Sequence, residues 1–291
     1  MNNLITPMVS SSVAARNDAN ISRMLVEQGK ITLEQLDSVK RLQLEDGSGF
    51  GEAAQRLGLV SESDIQHVLS HQFDYPYQTF GQGDYPSALA AAYHPFSAEV
   101  ETLRSVRSQL MLHWFAAGNK TLAIASVNPG DGTSMLAANL AVVFSQLGRQ
   151  TLLVDANLRN PSQHKIFNLG AGRGLSDVLA GRAGMDTVAM AESFIDLSLF
   201  PAGSPVPNPQ ELINRPSFNL INDGLRDRFD IILYDTPAFS TAADALTIAV
   251  RAGGVLLVVR KNHTSMAELG AFSDQLRRCG TEVVGSVLVS F

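Results

Sequence analysis

From residue 97 onward the chain alternates short apolar runs with longer amphipathic segments. The apolar runs predict strands at 121–126, 151–155, 197–201, 230–234, 254–259 and 283–289. Helix-like spacing fills most of the intervals, most clearly over 135–147. Alternation of this kind predicts an α/β fold with a mostly parallel, doubly wound sheet and helices on both faces. Ligands of such sheets bind at the carboxyl ends of the strands.

The first 96 residues follow another pattern. Residues 20–43 and 49–72 read as two copies of one unit, offset by 29 positions. Gly29 aligns with Gly58, Ile31 with Val60, Leu36 with Ile65, Val39 with Val68 and Gln43 with Gln72. Each copy reads as a helix, a glycine stop and an N-cap. Thr32 with Gln35 makes a capping box, and Ser61 with Asp64 makes a weaker one. A small all-α tandem-repeat domain is expected, its apolar stripes packed on one another. Residues 73–96 break the pattern. Tyr75-Pro76-Tyr77, Gly81, Gly83, Tyr85-Pro86 and His94-Pro95 are turn chemistry. The expected organisation is a disordered tail (1–19), the tandem repeat (20–73), a linker (74–96) and the α/β domain (97–291).

Composition narrows the function classes. A chain of 291 residues has room for one large or two modest domains. Its net charge of −6 argues against nucleic acid as a partner. Cys279 is the single cysteine, so no internal disulfide forms, in keeping with a reducing cytosol. No apolar run approaches the roughly 20 residues that span a bilayer. The N-terminus lacks a basic-then-apolar leader pattern. A cytoplasmic protein is expected.

The chemistry gathers at three strand ends. Ser126–Ser134 reads S-V-N-P-G-D-G-T-S, between an apolar run and a helix-like run. Strand, glycine-rich turn and helix start form a phosphate loop, in which backbone N–H groups and the helix dipole cradle phosphate. Pro129, Gly130, Asp131, Gly132, Thr133 and Ser134 are the candidate nucleotide-binding residues. The lysine that usually follows the second glycine is absent, and Thr133 stands there. Asp155 closes one apolar strand and Asp235 another. A carboxylate after a strand, beside a phosphate loop, holds Mg²⁺ or its water shell. Ser134, Asp155 and Asp235 are therefore the candidate metal-binding residues.

Several motifs together resemble the bacterial tyrosine kinases. They are Pro129-Gly130-Asp131-Gly132, Asn139-Leu140-Ala141, the run L-L-V-D-A-N-L-R-N-P over 152–161, and Tyr234-Asp235-Thr236-Pro237. Gly174 to Leu179 and Pro207 to Leu212 add to the match, which covers about residues 97–291. These kinases derive from MinD/ParA-like P-loop ATPases. The combination with the N-terminal repeat resembles the EpsG type, found with exopolysaccharide chain-length determinants. The resemblance implies ATP and Mg²⁺ as cofactors. It implies catalytic roles for Asp155, Asn157, Arg159 and Asp235, and a homo-oligomeric ring formed through Glu101-x-x-Arg104-x-x-Arg107. It further implies a membrane chain-length determinant (Wzz-like) as a separate partner chain, which would hold the protein at the inner membrane. The repeat itself is similar to the N-terminal domain of secretion and pilus ATPases, which can bind cyclic di-GMP. Both motif-opening arginines are missing here (Asn20-Ile21-Ser22 and Gly49-Phe50-Gly51), so that ligand is not expected.

The chain departs from the kinase pattern at its centre. Thr133 replaces lysine, Asn157 replaces the second aspartate of D-x-D, Ala238 replaces a proline, and Val289 replaces an asparagine placed to read adenine. No tyrosine follows Tyr234. Losing one preorganised charge contact costs about 3–4 kcal/mol at a transition state. Weakened ATP binding is expected. Arg159 or Lys165 are the basic groups near enough in sequence to compensate. Three outcomes are consistent with these residues: an autophosphorylating kinase in exopolysaccharide biosynthesis, an inactive scaffold of the same fold, or a MinD/ParA-like ATPase.

Overall fold

The computed structural model describes residues 10–62, 64, 65, 68, 85–170, 172–191 and 193–291. It divides the chain into two units, Met1–Pro76 and Tyr77–Phe291.

In the first unit the 29-residue offset is a structural repeat. Helices α1 (Ser10–Glu27), α2 (Leu33–Asp46) and α3 (Phe50–Arg56) surround one small core. Its buried members pair by the offset: Ile21 with Phe50, Leu25 with Ala54, Ile31 with Val60, and Val39 with Val68. The turns repeat too. Gly29 N–H donates to Val26 O and Lys30 N–H to Leu25 O, as Gly58 N–H does to Gln55 O and Leu59 N–H to Ala54 O. Gly29 and Gly58 sit at φ +68° and +67°, a left-handed conformation that strains any side chain. Thr32 and Gln35 make their reciprocal capping bonds at 3.2 and 2.8 Å. Ser61 and Asp64 make theirs at 3.2 and 2.9 Å. Helix α1 already runs from Ser10, so residues 10–19 are helical and not the disordered tail expected. Ile21 and Leu25, buried near its other end, anchor that helix. Residues 1–9 and Gln72 lie outside the described residues.

The second unit is built on a sheet in the order β3-β4-β2-β5-β1-β6-β7. The strands are β1 (Thr121–Ser126), β2 (Thr151–Asp155), β3 (Ala189–Met190), β4 (Leu197–Phe200), β5 (Ile231–Asp235), β6 (Gly254–Arg260) and β7 (Glu282–Val289). All neighbours are parallel except β3 and β4. All six predicted strands form. β3 was not foreseen, because two residues are too short to register as an apolar run. The helices are α4 (Ala90–Tyr93), α5 (Ala98–His113), α6 (Thr133–Ser145), α7 (Gln163–Ile166), α8 (Leu175–Leu179), α9 (Pro209–Asn214), α10 (Ser217–Arg228), α11 (Asp244–Ala252) and α12 (Met266–Arg278).

Side chains alternate across the sheet, so each strand feeds two cores. Leu122, Ile124, Leu153, Leu233 and Val258 pack on the α4, α5 and α6 side. Ala123, Val154, Ile232, Tyr234 and Leu257 pack on the side of α8 to α12. Helix α6 is buried almost all round, which is why its sequence is apolar on every face. Tyr234 is buried and its hydroxyl donates to Asn222 Oδ1 at 2.7 Å.

Residues 85–96 are not a linker. Leu89, Ala90, Ala91, Ala92 and Tyr93 are buried in the core shared with α6. Asn139, itself 2% exposed, accepts from Ala91 N–H at 2.9 Å and donates to Ala88 O at 3.0 Å. Gln146 donates to Ala91 O at 3.1 Å. The turn residues mark a path outside the sheet, but the small apolar run between them lets the backbone press against α6. Tyr85 is half-buried, with its hydroxyl 2.7 Å from Ser193 Oγ, and Tyr93 donates to Tyr85 O. Tyr75, Tyr77 and the remainder of the expected linker lie outside the described residues.

Two consequences are measurable. Asp64 also pairs with Lys30 at 2.7 Å. Partial burial pushes its carboxyl up, but the Lys30 ammonium and the Ser61 hydroxyl and amide outweigh that and hold it at about 2, below the ordinary 3.8. The folded state is thus stabilised above the ordinary value, and this contribution is lost as pH falls through the folded one. With surface screening it is worth on the order of 1 kcal/mol. Asp64→Asn is expected to flatten the pH dependence of first-unit stability between pH about 4 and about 2, read by hydrogen exchange of α2 amides in the full chain. For the second unit, Asn139→Leu strands Ala91 N–H and Ala88 O in the core. It is expected to cost about 2–3 kcal/mol in denaturant unfolding and to speed exchange at Ala91.

Candidate nucleotide and cation site

The loop leaving β1 turns through Gly130 and Gly132, at φ +82° and +85°, and delivers the chain into α6 at Thr133. Its first-turn amides and the helix dipole point out of the sheet's carboxyl edge. Beside them, β2 and β5 end in register, so that Asp155 and Asp235 are direct neighbours across the ladder. Leu153 and Leu233, two residues back, pack on the α6 side, so both carboxylates face the start of α6. Both are fully buried.

Donors surround this pair unevenly. Asp155 accepts from three backbone amides, Asn157, Ser162 and Gln163, at 3.3, 2.9 and 2.9 Å. Asp235 accepts from Gln163 Nε2 at 2.8 Å. The same Gln163 nitrogen donates to Ser134 O at 2.9 Å. Burial pushes the Asp155 carboxyl above its usual range against the pull of those amides. Burial and then the neighbouring Asp155 charge push Asp235 up further, against the Gln163 and Ser134 side chains. Asp235 Oδ1, Gln163 Oε1 and Ser162 Oγ are buried and make no hydrogen bond. An oxygen-lined spot with two carboxylates and unmet acceptors fits a hard divalent cation.

A cleft of about 410 Å³ opens over the loop. Pro129, Gly130, Gly132, Thr133, Ser134, Asn157 and Arg159 line it, with Thr236 to Ala238 on the facing wall. Asp131 does not. It is 1% exposed, accepts from Asn128 N–H, and bonds His263 Nδ1 and Thr264 Oγ1 at 2.8 and 3.1 Å. It pins the loop to the segment after β6. Thr133 lines the cleft, but its hydroxyl donates to Ser126 Oγ at 2.8 Å and is not free for phosphate. Asn157 Oδ1 accepts from Asn160 N–H at 3.1 Å.

Among the described residues, Arg159 is the one basic side chain in the cleft wall. Buried Asp244, in the first turn of α11, holds it through two bonds of 2.7 and 3.3 Å. Lys165 is exposed and does not line the cleft. Val289 Cγ2 lies 3.9 Å from where a Cβ on Gly132 would stand, and the Phe291 ring lies closer, at 2.9 Å. Arg260 stacks on that ring at 4.3 Å and donates to Gly130 O at 3.1 Å.

Elsewhere on the unit, Glu101 and Arg104 form an ion pair on α5. Arg107 reaches across to Val143 O at 2.5 Å, in the last turn of α6. It serves at least partly as an internal helix cap, and is not simply a surface group.

Sequence reasoning missed Gln163 and Asp244. Gln163 reads as an ordinary polar residue after a serine, and Asp244 as a helix-start acid. Only the register of β2 with β5 and the docking of α11 give them partners.

Known proteins agree with this architecture. The family model described as cellulose biosynthesis protein BcsQ matches residues 119–275. The putative tyrosine-protein kinase EpsB of Ralstonia solanacearum is 35% identical over 233 residues, covering 78% of this chain but only 30% of the relative. The chain thus spans about a third of such longer relatives. The putative tyrosine-protein kinase CapB of Staphylococcus aureus is 32% identical over 194 residues, covering 67% of this chain and 85% of CapB. The kinase domain of Escherichia coli tyrosine kinase ETK superposes with a TM-score of 0.67 at 26% identity, covering 69% of this chain and 79% of that domain. The sheet is of the MinD/ParA-like P-loop class. By its matched residues and its fold, the chain belongs to the bacterial tyrosine kinase family, within the wider P-loop group that the BcsQ model also describes.

Proposed function

We propose that this chain is a kinase-fold protein of exopolysaccharide biosynthesis that binds Mg-ATP weakly and acts chiefly through assembly, with tyrosine phosphorylation slow or absent. One observation carries the reading. Two carboxylates and a phosphate loop stand together, yet among the described residues the cations beside them are already engaged, Arg260 by the Gly130 and Phe291 carbonyls. Thr133 has spent its hydroxyl on Ser126, and Arg159 is held by Asp244. Polysaccharide synthesis is the context that the BcsQ description supplies.

In this reading the amides after Gly130 cradle phosphates, and Ser134, Asp155 and Asp235 hold the divalent ion, Asp235 at its water shell. Such an ion supplies the positive charge that phosphoryl transfer needs. This reading also assigns to Asp155 the proton of an incoming tyrosine hydroxyl. Asn157 adds a hydrogen bond but no charge. Without a loop lysine, the phosphate contact is expected to be short by a few kcal/mol, roughly a hundredfold or more in rate.

The assembly part of this reading is supported by α5. Glu101, Arg104 and Arg107 keep the spacing of the ring-forming segment within two helical turns. The partner would be a membrane chain-length determinant acting in trans, which would bring the protein to the inner membrane from the cytoplasm. No helix among the described residues is long and apolar enough to cross a membrane itself.

Calorimetry with ATP, with and without Mg²⁺, tests the first part. Weak wild-type binding and at least a tenfold gain in Thr133→Lys, about 1.4 kcal/mol, are expected. Tight wild-type binding with no gain from the lysine would sink this account. For assembly, Arg104→Ala is expected to shift the sedimentation profile to a smaller species while circular dichroism shows the chain still folded. Arg107→Ala should also destabilise the fold, because Arg107 caps α6. A wild-type chain that stays monomeric at every concentration, even with the partner's cytoplasmic segment, would remove the ring.

A further inference from the structure

Gln163 is 1% exposed and touches every part of the centre. Its backbone amide serves Asp155 at 2.9 Å, and its side-chain nitrogen serves Asp235 at 2.8 Å and Ser134 O at 2.9 Å. Both side-chain donor bonds run from Nε2, while Oε1 makes none. Asp235 shows the same asymmetry, with Oδ2 bonded to Gln163 and Oδ1 buried with no hydrogen bond of full geometry, the Ser134 side chain being the donor nearby.

A buried amide that only filled space would have its acceptor met as well as its donors, since an unmet buried acceptor is costly. The orphan atoms Gln163 Oε1 and Asp235 Oδ1 are both acceptors. A donor or a cation is what they lack, and another carbonyl or carboxylate would not serve. They belong to two side chains already joined to each other, so fixing one fixes the other.

We infer that Gln163 is a positioning residue of the cation site: Nε2 locks the Asp235 carboxylate to the first turn of α6, and Oε1 is presented with Asp235 Oδ1 to the water shell of a divalent ion. This rests on the reading that the site takes such an ion. It is a neutral oxygen in a centre that has Asn157 where a second D-x-D carboxylate is expected. Groups that orient metal ligands typically change metal affinity roughly 10–100-fold when removed. Because Gln163 also bonds Ser134 O, it sets the spacing between the ion and the phosphate loop.

The test uses the full chain, Mn²⁺ as the probe and ADP at saturation. Mn²⁺ binding is read by electron paramagnetic resonance, and metal-free ADP binding in chelator by calorimetry. Gln163→Met keeps length and loses both polar atoms. It is expected to weaken Mn²⁺ binding by roughly 10–100-fold, with a several-fold smaller loss in metal-free ADP binding. Gln163→Glu adds a third carboxylate and loses the donor. It is expected to melt lower than wild type without metal and to show a larger Mn²⁺-induced rise in melting temperature, a readout that survives if the Met variant misfolds. Met-variant Mn²⁺ binding equal to wild type would overturn the inference. So would a parallel fall in Mn²⁺ affinity, ADP affinity and melting temperature, which would make Gln163 merely structural, or a Glu variant whose Mn²⁺ response matches wild type. A wild-type chain that binds ADP but no Mn²⁺ would overturn the cation site itself, and this inference with it.

Discussion

Two acidic side chains at neighbouring ends of parallel strands, closed off from water, cannot both hold charge without help. Asp155 and Asp235 are in that position because β2 and β5 pair in a register that ends both strands together. The surroundings answer the problem in different currencies. The turn at the start of α7 brings backbone amides to Asp155, and Gln163 brings a side-chain amide to Asp235. Burial still pushes both carboxyls upward, which means that the donors do not fully compensate for the lost hydration. The centre is left with a deficit of compensating positive charge, and the 156–163 turn and the start of α6 enclose it.

Against that deficit, the phosphate loop supplies no basic side chain of its own, and Arg260 beside it is bonded to the Gly130 carbonyl. Asp131 turns inward to His263 and Thr264, so it shapes the loop without adding charge to the cleft. Thr133 is compact enough to fold back on Ser126, which the long ammonium arm of a lysine would not do. Arg159 sits in the wall, but a buried carboxylate partner costs several kcal/mol to abandon. Swinging Arg159 to a phosphate would leave Asp244 charged, unpaired and dry. That energetic tie turns a residue that looks available in sequence into one that is restrained.

Much of the fold was legible because its signals are local. Six strands follow from apolar runs, and the tandem repeat follows from a fixed offset that reappears in the core and in the turn hydrogen bonds. The loop, Asp155 and Asp235 were legible for the same reason, since each lies next to its own strand. What failed was non-local or depended on burial. Ser10 to Ala19 look polar, yet extend a helix that Ile21 and Leu25 bury in the core. Residues 85–96 look like a linker because turn residues bracket them, while the pressure of Ala90 to Ala92 on α6 depends on Asn139, some fifty positions away. Tyr85 and Tyr93 are held within that same segment. Gln163 and Asp244 carry no local mark at all.

Helix α6 is where these separate features meet. Its first turn carries Thr133 and Ser134 at the cleft, its middle carries Asn139 and the strap of residues 88–91, and its last turn is capped by Arg107 from α5. A helix buried on nearly every face has little freedom to bend, so a shift imposed at one end is passed along its axis. Arg107 therefore steadies the far end of the helix whose start bears the phosphate loop.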